Sequence, residues 1–239
     1  MRSEVLTDMK TAFDYITENY KRICDDVEEA KIRYRSPDDR VEVMAVTKTV
    51  PPEAVNHAVK CGIRLLGENR VQEYEAKKSC YDPAAEVHFI GHLQTNKVKY
   101  IIDDMELIQS VDSLRLAAEI DRQAKRVGKT QNVLVEVNIG GEESKSGVHP
   151  DRLEELLYEA SQLQNICIKG LMTIPPPVEA EKFLCKMQQL YLDISSKNMD
   201  NISMEILSMG MSGDYVKAIR YGSNLVRIGT ALFGARVYN

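Results

Sequence analysis

From Val41 to Gly229 the chain alternates between two hydrophobic patterns. One is a short apolar run of five to eight residues. It occurs eight times, as "VEVMAVT", "IRLLG", "VHFIG", "ELIQSV", "NVLVEVN", "ICIKGLMT", "SMEILSM" and "LVRIG". Runs of this length, rich in Val, Ile and Leu, predict strands. The other pattern is an apolar stripe at steps of three and four, which predicts an amphipathic helix. A leading helix over residues 3–28 carries Val5, Met9, Phe13, Ile16, Tyr20, Ile23 and Val27 on such a stripe, until "RSPDDR" breaks it. "PPEAVNHAVKCG" opens on prolines that suit a first helical turn and closes on a glycine that suits a C-terminal cap. "DSLRLAAEIDRQAKRVG" opens on Asp112 as N-cap and ends at Gly128. "HPDRLEELLYEASQL" sets Leu153, Leu156, Leu157, Ala160 and Leu163 on one stripe. Helices over 69–79, 95–102, 179–197 and 213–221 bring the total to eight, the leading one included.

Eight strands alternating with helices fit an open doubly wound sheet or a closed barrel. The matching counts and the length of 239 residues favour an α/β fold with a single (β/α)8 TIM-type barrel, spanning 1–239 as one domain behind an additional leading helix. "TIPPPVEAE" is Pro-rich but reads as a loop, and no linker, internal repeat or low-complexity segment divides the chain.

Composition narrows the function. Hydrophobic residues make up 44% and charged residues 28%, as in ordinary soluble domains. A net charge of −5 argues against nucleic acid or an anionic membrane as partner. No apolar run approaches bilayer length, and "MRSEVLTDMK" mixes acids into any would-be signal segment. Cys24, Cys61, Cys80, Cys167 and Cys185 lack CxxC spacing and read as reduced thiols of a cytoplasmic protein.

Active-site groups of such barrels project from the C-terminal strand ends. The first run ends at Lys48, the second at Asn69 in "GENR", the third at His92 in "GHLQTNK" and the fifth at Asn138. The sixth runs into "MTIPPP", the seventh into "SMGMSGD" and the eighth into "RIGTALFG", while the connections at the opposite end look plain. Loops after strands seven and eight commonly form a phosphate site. Here they offer Gly210, Ser212 and Gly213, then Gly229 and Thr230. Hydroxyls and free N–H groups at a helix start suit an anion, although Ser212 and Thr230 could equally serve as helix caps. A lysine facing a phosphate site suits a Schiff base with an aldehyde, and pyridoxal 5′-phosphate carries both groups. Against this stands the ordinary snorkelling surface lysine. Lys48 shares a strand face with Met44 and Val46. Arg227 sits mid-strand in "LVRIG". Buried, it needs a partner, either a pyridine nitrogen or a strand carboxylate such as Glu136 or Glu205. An arginine at the ring nitrogen would disfavour its protonation and weaken the cofactor as an electron sink.

Other features carry less. "GGEESKSG" lacks the order of a nucleotide phosphate loop. Lys145 reads as a solvated loop lysine or as a second amine near the mouth. His88 and His92 stand four apart in a strand with no evident third ligand, so no metal is expected.

Together, "AVTKTV", "GENRVQE", "HFIGHLQTNK", "GLMTI", "LSMGMSGD" and "VRIGTALFG" closely resemble the pyridoxal phosphate homeostasis proteins of the YggS/PROSC type, from about Val43 to Arg236. The resemblance implies a barrel like the N-terminal domain of alanine racemase. It implies pyridoxal phosphate bound through Lys48, with phosphate around Ser212, Gly229 and Thr230, Asn69 near the cofactor, Arg227 at the ring nitrogen, and Ser208 and Met209 completing the set. Family members hold and regulate the vitamin B6 pool without established turnover, and apo pyridoxal phosphate enzymes are the implied recipients. Racemases of this barrel type need a base on each cofactor face and draw one from a second domain. This chain ends ten residues after Gly229, so no such domain is expected, and no catalytic residue is assigned. The chain is expected to be a monomer. The competing functions are a pyridoxal phosphate-dependent amino-acid racemase and a cofactor-free aldolase using Lys48 directly.

Overall fold

Eight parallel strands close into a barrel in sequence order, β1-β2-β3-β4-β5-β6-β7-β8. The computed structural model describes residues 12–197 and 199–235. The strands are β1 (Glu42–Val46), β2 (Leu65–Glu68), β3 (Glu86–Phe89), β4 (Leu107–Val111), β5 (Gln131–Glu136), β6 (Ile166–Met172), β7 (Ile202–Ser208) and β8 (Leu225–Ile228). Each of the eight apolar runs therefore holds a strand. The helices are α1 (Asp14–Tyr34), α2 (Pro52–Lys60), α3 (Val71–Lys77), α4 (Leu114–Arg126), α5 (Leu153–Ala160), α6 (Ala180–Ser195), α7 (Tyr215–Arg220) and the single turn α8 (Thr230–Phe233).

Alternation along each strand builds two cores. Ala45, Leu66, Val226 and Ile228 face outward and pack with Ile16, Ile23 and Val27 of α1 and Val55 and Ala58 of α2. A larger outer cluster joins Ile108, Val133, Val135, Ile168 and Leu171 to the helices on the other side. Truncating a fully buried residue there, such as Ile120 of α4, should cost roughly 2–5 kcal/mol. The inner face is smaller. Met44, Leu65 and Leu225 pack with Val46 and Ile206, and Leu107, Leu134 and Met172 fill the other half. Met44 and Val46 share the inward side of β1.

Some expectations change. The leading helix runs to Tyr34, because "EAKIRY" continues the stripe through buried Ala30 up to "RSPDDR". Its expected start, with Val5 and Met9, lies outside the described residues. The helix expected over 95–102 is a 3-10 helix, Thr95–Tyr100, a tight crossover that still buries Val98, Ile101 and Ile102. The N-cap of α4 is Ser113, whose hydroxyl accepts from the Leu116 N–H, while Asp112 accepts from Ser113. The barrel floor is not plain: Arg40, Glu42, Arg64, Glu86, Glu106, Lys169 and Glu205 rim a cavity of about 560 Å³ there. Inward positions at strand starts meet water at that open end, so they take charges.

The closure between β7 and β8 rests on the Ser208–Leu225 pair. Side chains take over where the ladder is short. Asn224 accepts from the Leu207 N–H and donates to the Glu205 carbonyl, at 2.8 and 2.7 Å. Ser223 donates to the Met209 carbonyl at 2.7 Å. This seam carries the loops where the phosphate site is expected.

Candidate functional site

Lys48 follows β1 at the barrel mouth and is half-buried. Its backbone setting is unusual. Thr49 has φ 61°, a left-handed conformation that a β-branched residue rarely adopts. Such a conformation costs of order 1–3 kcal/mol and persists only where surroundings enforce it. Thr49 donates its N–H to Glu73 at 2.6 Å, and Val50 closes the turn onto the Thr47 carbonyl at 3.0 Å. Pro51 and Pro52 then start α2, with Pro52 in its first turn, where the missing N–H is harmless. The two prolines after the lysine thus end the strand and begin its supporting helix.

Asn69 follows β2 on the inward alternation of Leu65 and Gly67. Its Oδ1 is buried without a partner among the described residues. The end of β3 presses against it. A Cβ on Gly91 would stand 2.1 Å from the Asn69 carbonyl oxygen, so only glycine fits.

Arg227 of β8 is buried, and the proposed ion pair with Glu136 or Glu205 is not how its charge is met. Among the described residues its hydrogen bonds go to the Ser208 hydroxyl at 2.6 Å and the Thr173 carbonyl at 2.8 Å. Glu205 lies at the floor and pairs with Lys169 at 3.0 Å. Burial lowers Arg227 to about 10, against the opposing pull of Glu136 and Asp214, so it remains a cation at neutral pH. A guanidinium can only donate. The Ser208 hydroxyl must therefore accept from it, and its own proton goes to Gln109 Oε1 at 2.7 Å. That fixes the amide of Gln109, whose Nε2 donates to His88 Nδ1 at 3.1 Å. His88 must then be neutral, with its proton on Nε2. Burial lowers it to about 4, in agreement. A directional chain thus links the floor, which His88 lines, to Arg227 in the middle of the barrel.

Glu136 escaped the sequence reading except as a possible arginine partner. It ends β5, is buried, and is pushed up to about 7 by burial and by Asp112, against the pull of Arg227. Its inward alternation with Leu134 was the available signal.

The loops after β7 and β8 meet. Ser212 Oγ accepts from the Gly229 N–H at 3.3 Å and the Ala231 N–H at 3.1 Å. Gly229 is buried and Thr230 exposed. Ser208 is spent on Arg227 and Gln109. Met209 sends its side chain into the outer core, so only its backbone could serve the mouth. Asn138 organises its own loop by donating to the Glu142 carbonyl at 2.8 Å. Lys145 lines a separate open cleft of about 930 Å³ with His92, Asp112 and Arg115. His88 and His92 lie in different cavities, and no cluster of three or more His, Cys, Asp or Glu suited to a metal occurs among the described residues.

A closed parallel barrel with a lysine at the mouth of β1, a buried arginine on the adjoining β8, and two hydroxyl-bearing loops beside it defines a class. The family described as alanine racemase, N-terminal domain, matches residues 19–237. The chain also aligns with the pyridoxal phosphate homeostasis protein of Aquifex aeolicus, at 41% identity over 92% of this chain and 98% of that one. With the protein of that name from Escherichia coli K12 the identity is 34%, over 94% and 98%. The chain belongs to the pyridoxal phosphate homeostasis protein family. Among solved structures, PipY of Synechococcus elongatus PCC7942 with pyridoxal phosphate bound superposes at a TM-score of 0.77 and 31% identity, covering 92% of this chain and 100% of that one. Alanine racemase from Bartonella henselae shares the fold at a TM-score of 0.71 and 14% identity, with 59% of that chain covered.

Proposed function

We propose that this chain binds pyridoxal 5′-phosphate as one barrel domain over 1–239, holds it as a Schiff base on Lys48, and keeps it available to apo-enzymes in the cytoplasm as a monomer. The carrying observation is a half-buried lysine directly after β1 beside a buried arginine on neighbouring β8, where Met44 pairs with Arg227. Lys48 lies two residues beyond Val46, the last residue of β1, on the mouth side. The residues present fit the group. The buried Asn69 Oδ1 lacks a donor, and Ser212 gathers the Gly229 and Ala231 N–H groups at one point, where a phosphate can be received beside Thr230.

The cofactor supplies an aldehyde and an electron-withdrawing ring. Lys48 Nζ is the amine that would join the aldehyde, with water as the other product. Arg227, which can only donate, would face the ring nitrogen and leave it without a proton. Ser208 and Thr173 hold the guanidinium in place, and Gln109 and His88 hold Ser208. Met209 contributes backbone. Holding the ring nitrogen unprotonated weakens support for a carbanion, which favours storage over turnover.

An amino-acid racemase is the second reading, and Glu136 is the observation that favours it. A buried carboxyl pushed up to about 7 can take or give a proton near neutral pH. The absorbance spectrum before and after borohydride reduction, with peptide mapping, tests the covalent site. A visible band that is reduced onto Lys48 is expected, and an uncoloured chain refutes the proposal.

A further inference from the structure

The two peptide groups that bracket the Lys48 Cα are both held by one ion pair on α3. Lys77 Nζ donates to the Thr47 carbonyl at 3.3 Å, and Glu73 Oε1 accepts from the Thr49 N–H at 2.6 Å. Lys77 and Glu73 stand 2.5 Å apart, one helical turn from each other, and both side chains are largely buried. The pair thus grips the backbone immediately before and after Lys48, the span that sets its φ and ψ. A second tie fixes Thr47 from below: its hydroxyl donates to Glu68 at 2.7 Å, and Tyr81 donates to the same oxygen. Helix α3 can act as an anchor because Val71 and Tyr74 are buried in the outer core.

The grip works against a local preference. Thr49 is left-handed, with φ 61°, and a threonine released from the Glu73 bond would return to a right-handed or extended backbone. Reversing that residue would turn the peptide after Lys48 and re-aim the lysine. The Glu73–Lys77 pair therefore has a job that a surface ion pair lacks.

We propose that Glu73 and Lys77 are positioning residues for Lys48, holding the strained turn that delivers its amine into the barrel mouth. The proposal rests on Lys48 being the residue that joins the aldehyde. It concerns how fast and how completely the C=N bond forms, and leaves the phosphate loops after β7 and β8 untouched.

The test uses the full chain and two probes, pyridoxal 5′-phosphate and pyridoxine 5′-phosphate, which carries an alcohol in place of the aldehyde. Glu73→Ala and Lys77→Met should slow the appearance of the visible band at least tenfold. They should lower the borohydride-trapped fraction, while the affinity for pyridoxine 5′-phosphate stays within about twofold. Glu73→Gln, which can still accept from Thr49 but cannot pair with Lys77 as an ion, should fall between. Adding Thr49→Gly to Glu73→Ala should restore part of the rate, since glycine takes a positive φ freely. Competitive acetylation of the cofactor-free chain should show Lys48 changing reactivity in Glu73→Ala and Lys77→Met. Wild-type trapping rates in these two variants overturn the proposal. So does an equal loss of both probes, which would mark a merely structural role. A wild-type chain whose adduct lies elsewhere than Lys48 overturns the assignment of the amine itself, a failure the mapping tells apart from the others.

Discussion

His88 and Glu136 should tilt the acid side of the stability curve in opposite directions, and single substitutions should separate them. Burial lowers His88 from 6.5 to about 4, so the unfolded chain binds the proton first. Its contribution is complete above pH 6.5 and is lost as pH falls through 4. Burial raises Glu136 from 4.5 to about 7, so the folded chain binds the proton first. Its contribution is complete below pH 4.5 and is lost as pH rises through 7. At about 1.4 kcal/mol per pH unit, each displacement is worth about 3 kcal/mol. From pH 6.5 to 4.5 the two slopes nearly cancel in the wild type. In His88→Gln the amide oxygen can still accept from Gln109, yet the acid-labile group is gone. The stability of wild type minus that of His88→Gln should therefore fall by about 3 kcal/mol between pH 7 and pH 4. Wild type minus Glu136→Gln should rise by about as much between pH 7 and pH 4.5. Urea unfolding followed by far-UV circular dichroism at half-unit pH steps measures both differences. Curves that stay parallel across this range would refute the burial argument for the residue concerned, and with His88 would fall the directional hydrogen-bond chain to Arg227.

Three further outcomes are expected. Lys48→Ala should abolish the visible band and the borohydride adduct while phosphate-anchored binding survives, and an adduct mapping to Lys145 would overturn the assignment. Pyridoxal should bind more weakly than pyridoxal 5′-phosphate, each lost charge-assisted hydrogen bond costing about 1.5–3 kcal/mol. Ser212→Ala and Thr230→Val should weaken the phosphate form without unfolding the chain, as titration calorimetry can check; equal affinity for the two aldehydes would contradict the phosphate placement. Holo-protein with single-enantiomer amino acids in deuterated water should show little α-proton exchange, and sustained exchange with racemisation, lost in Lys48→Ala and reduced in Glu136→Gln, would establish the racemase instead.

The order of elements was legible in the chain because short runs such as "NVLVEVN" and stripes such as "RLEELLYEA" differ in period, and period follows from backbone geometry alone. The rim residues were legible for the same reason: once eight strands alternate with helices, their C-terminal ends share one face, and Lys48, Asn69 and Ser212 fall there. Direction and partnership were not legible. Met44 and Val46 share a face in any strand, but only barrel closure makes that face the interior, and strand period stops short of Lys48, which stands in the turn after β1. Arg227 could have met a carboxylate; the fold instead brings it Ser208 of β7 and the Thr173 carbonyl just after β6, then Gln109 of β4 and His88 of β3. The left-handed turn at Thr49 has no glycine to announce it, because Glu73 and Lys77 of another element hold it there. Local sequence sets period and capping within a turn or two. Which buried polar groups find each other depends on the register of distant strands, and that exists only in the closed barrel.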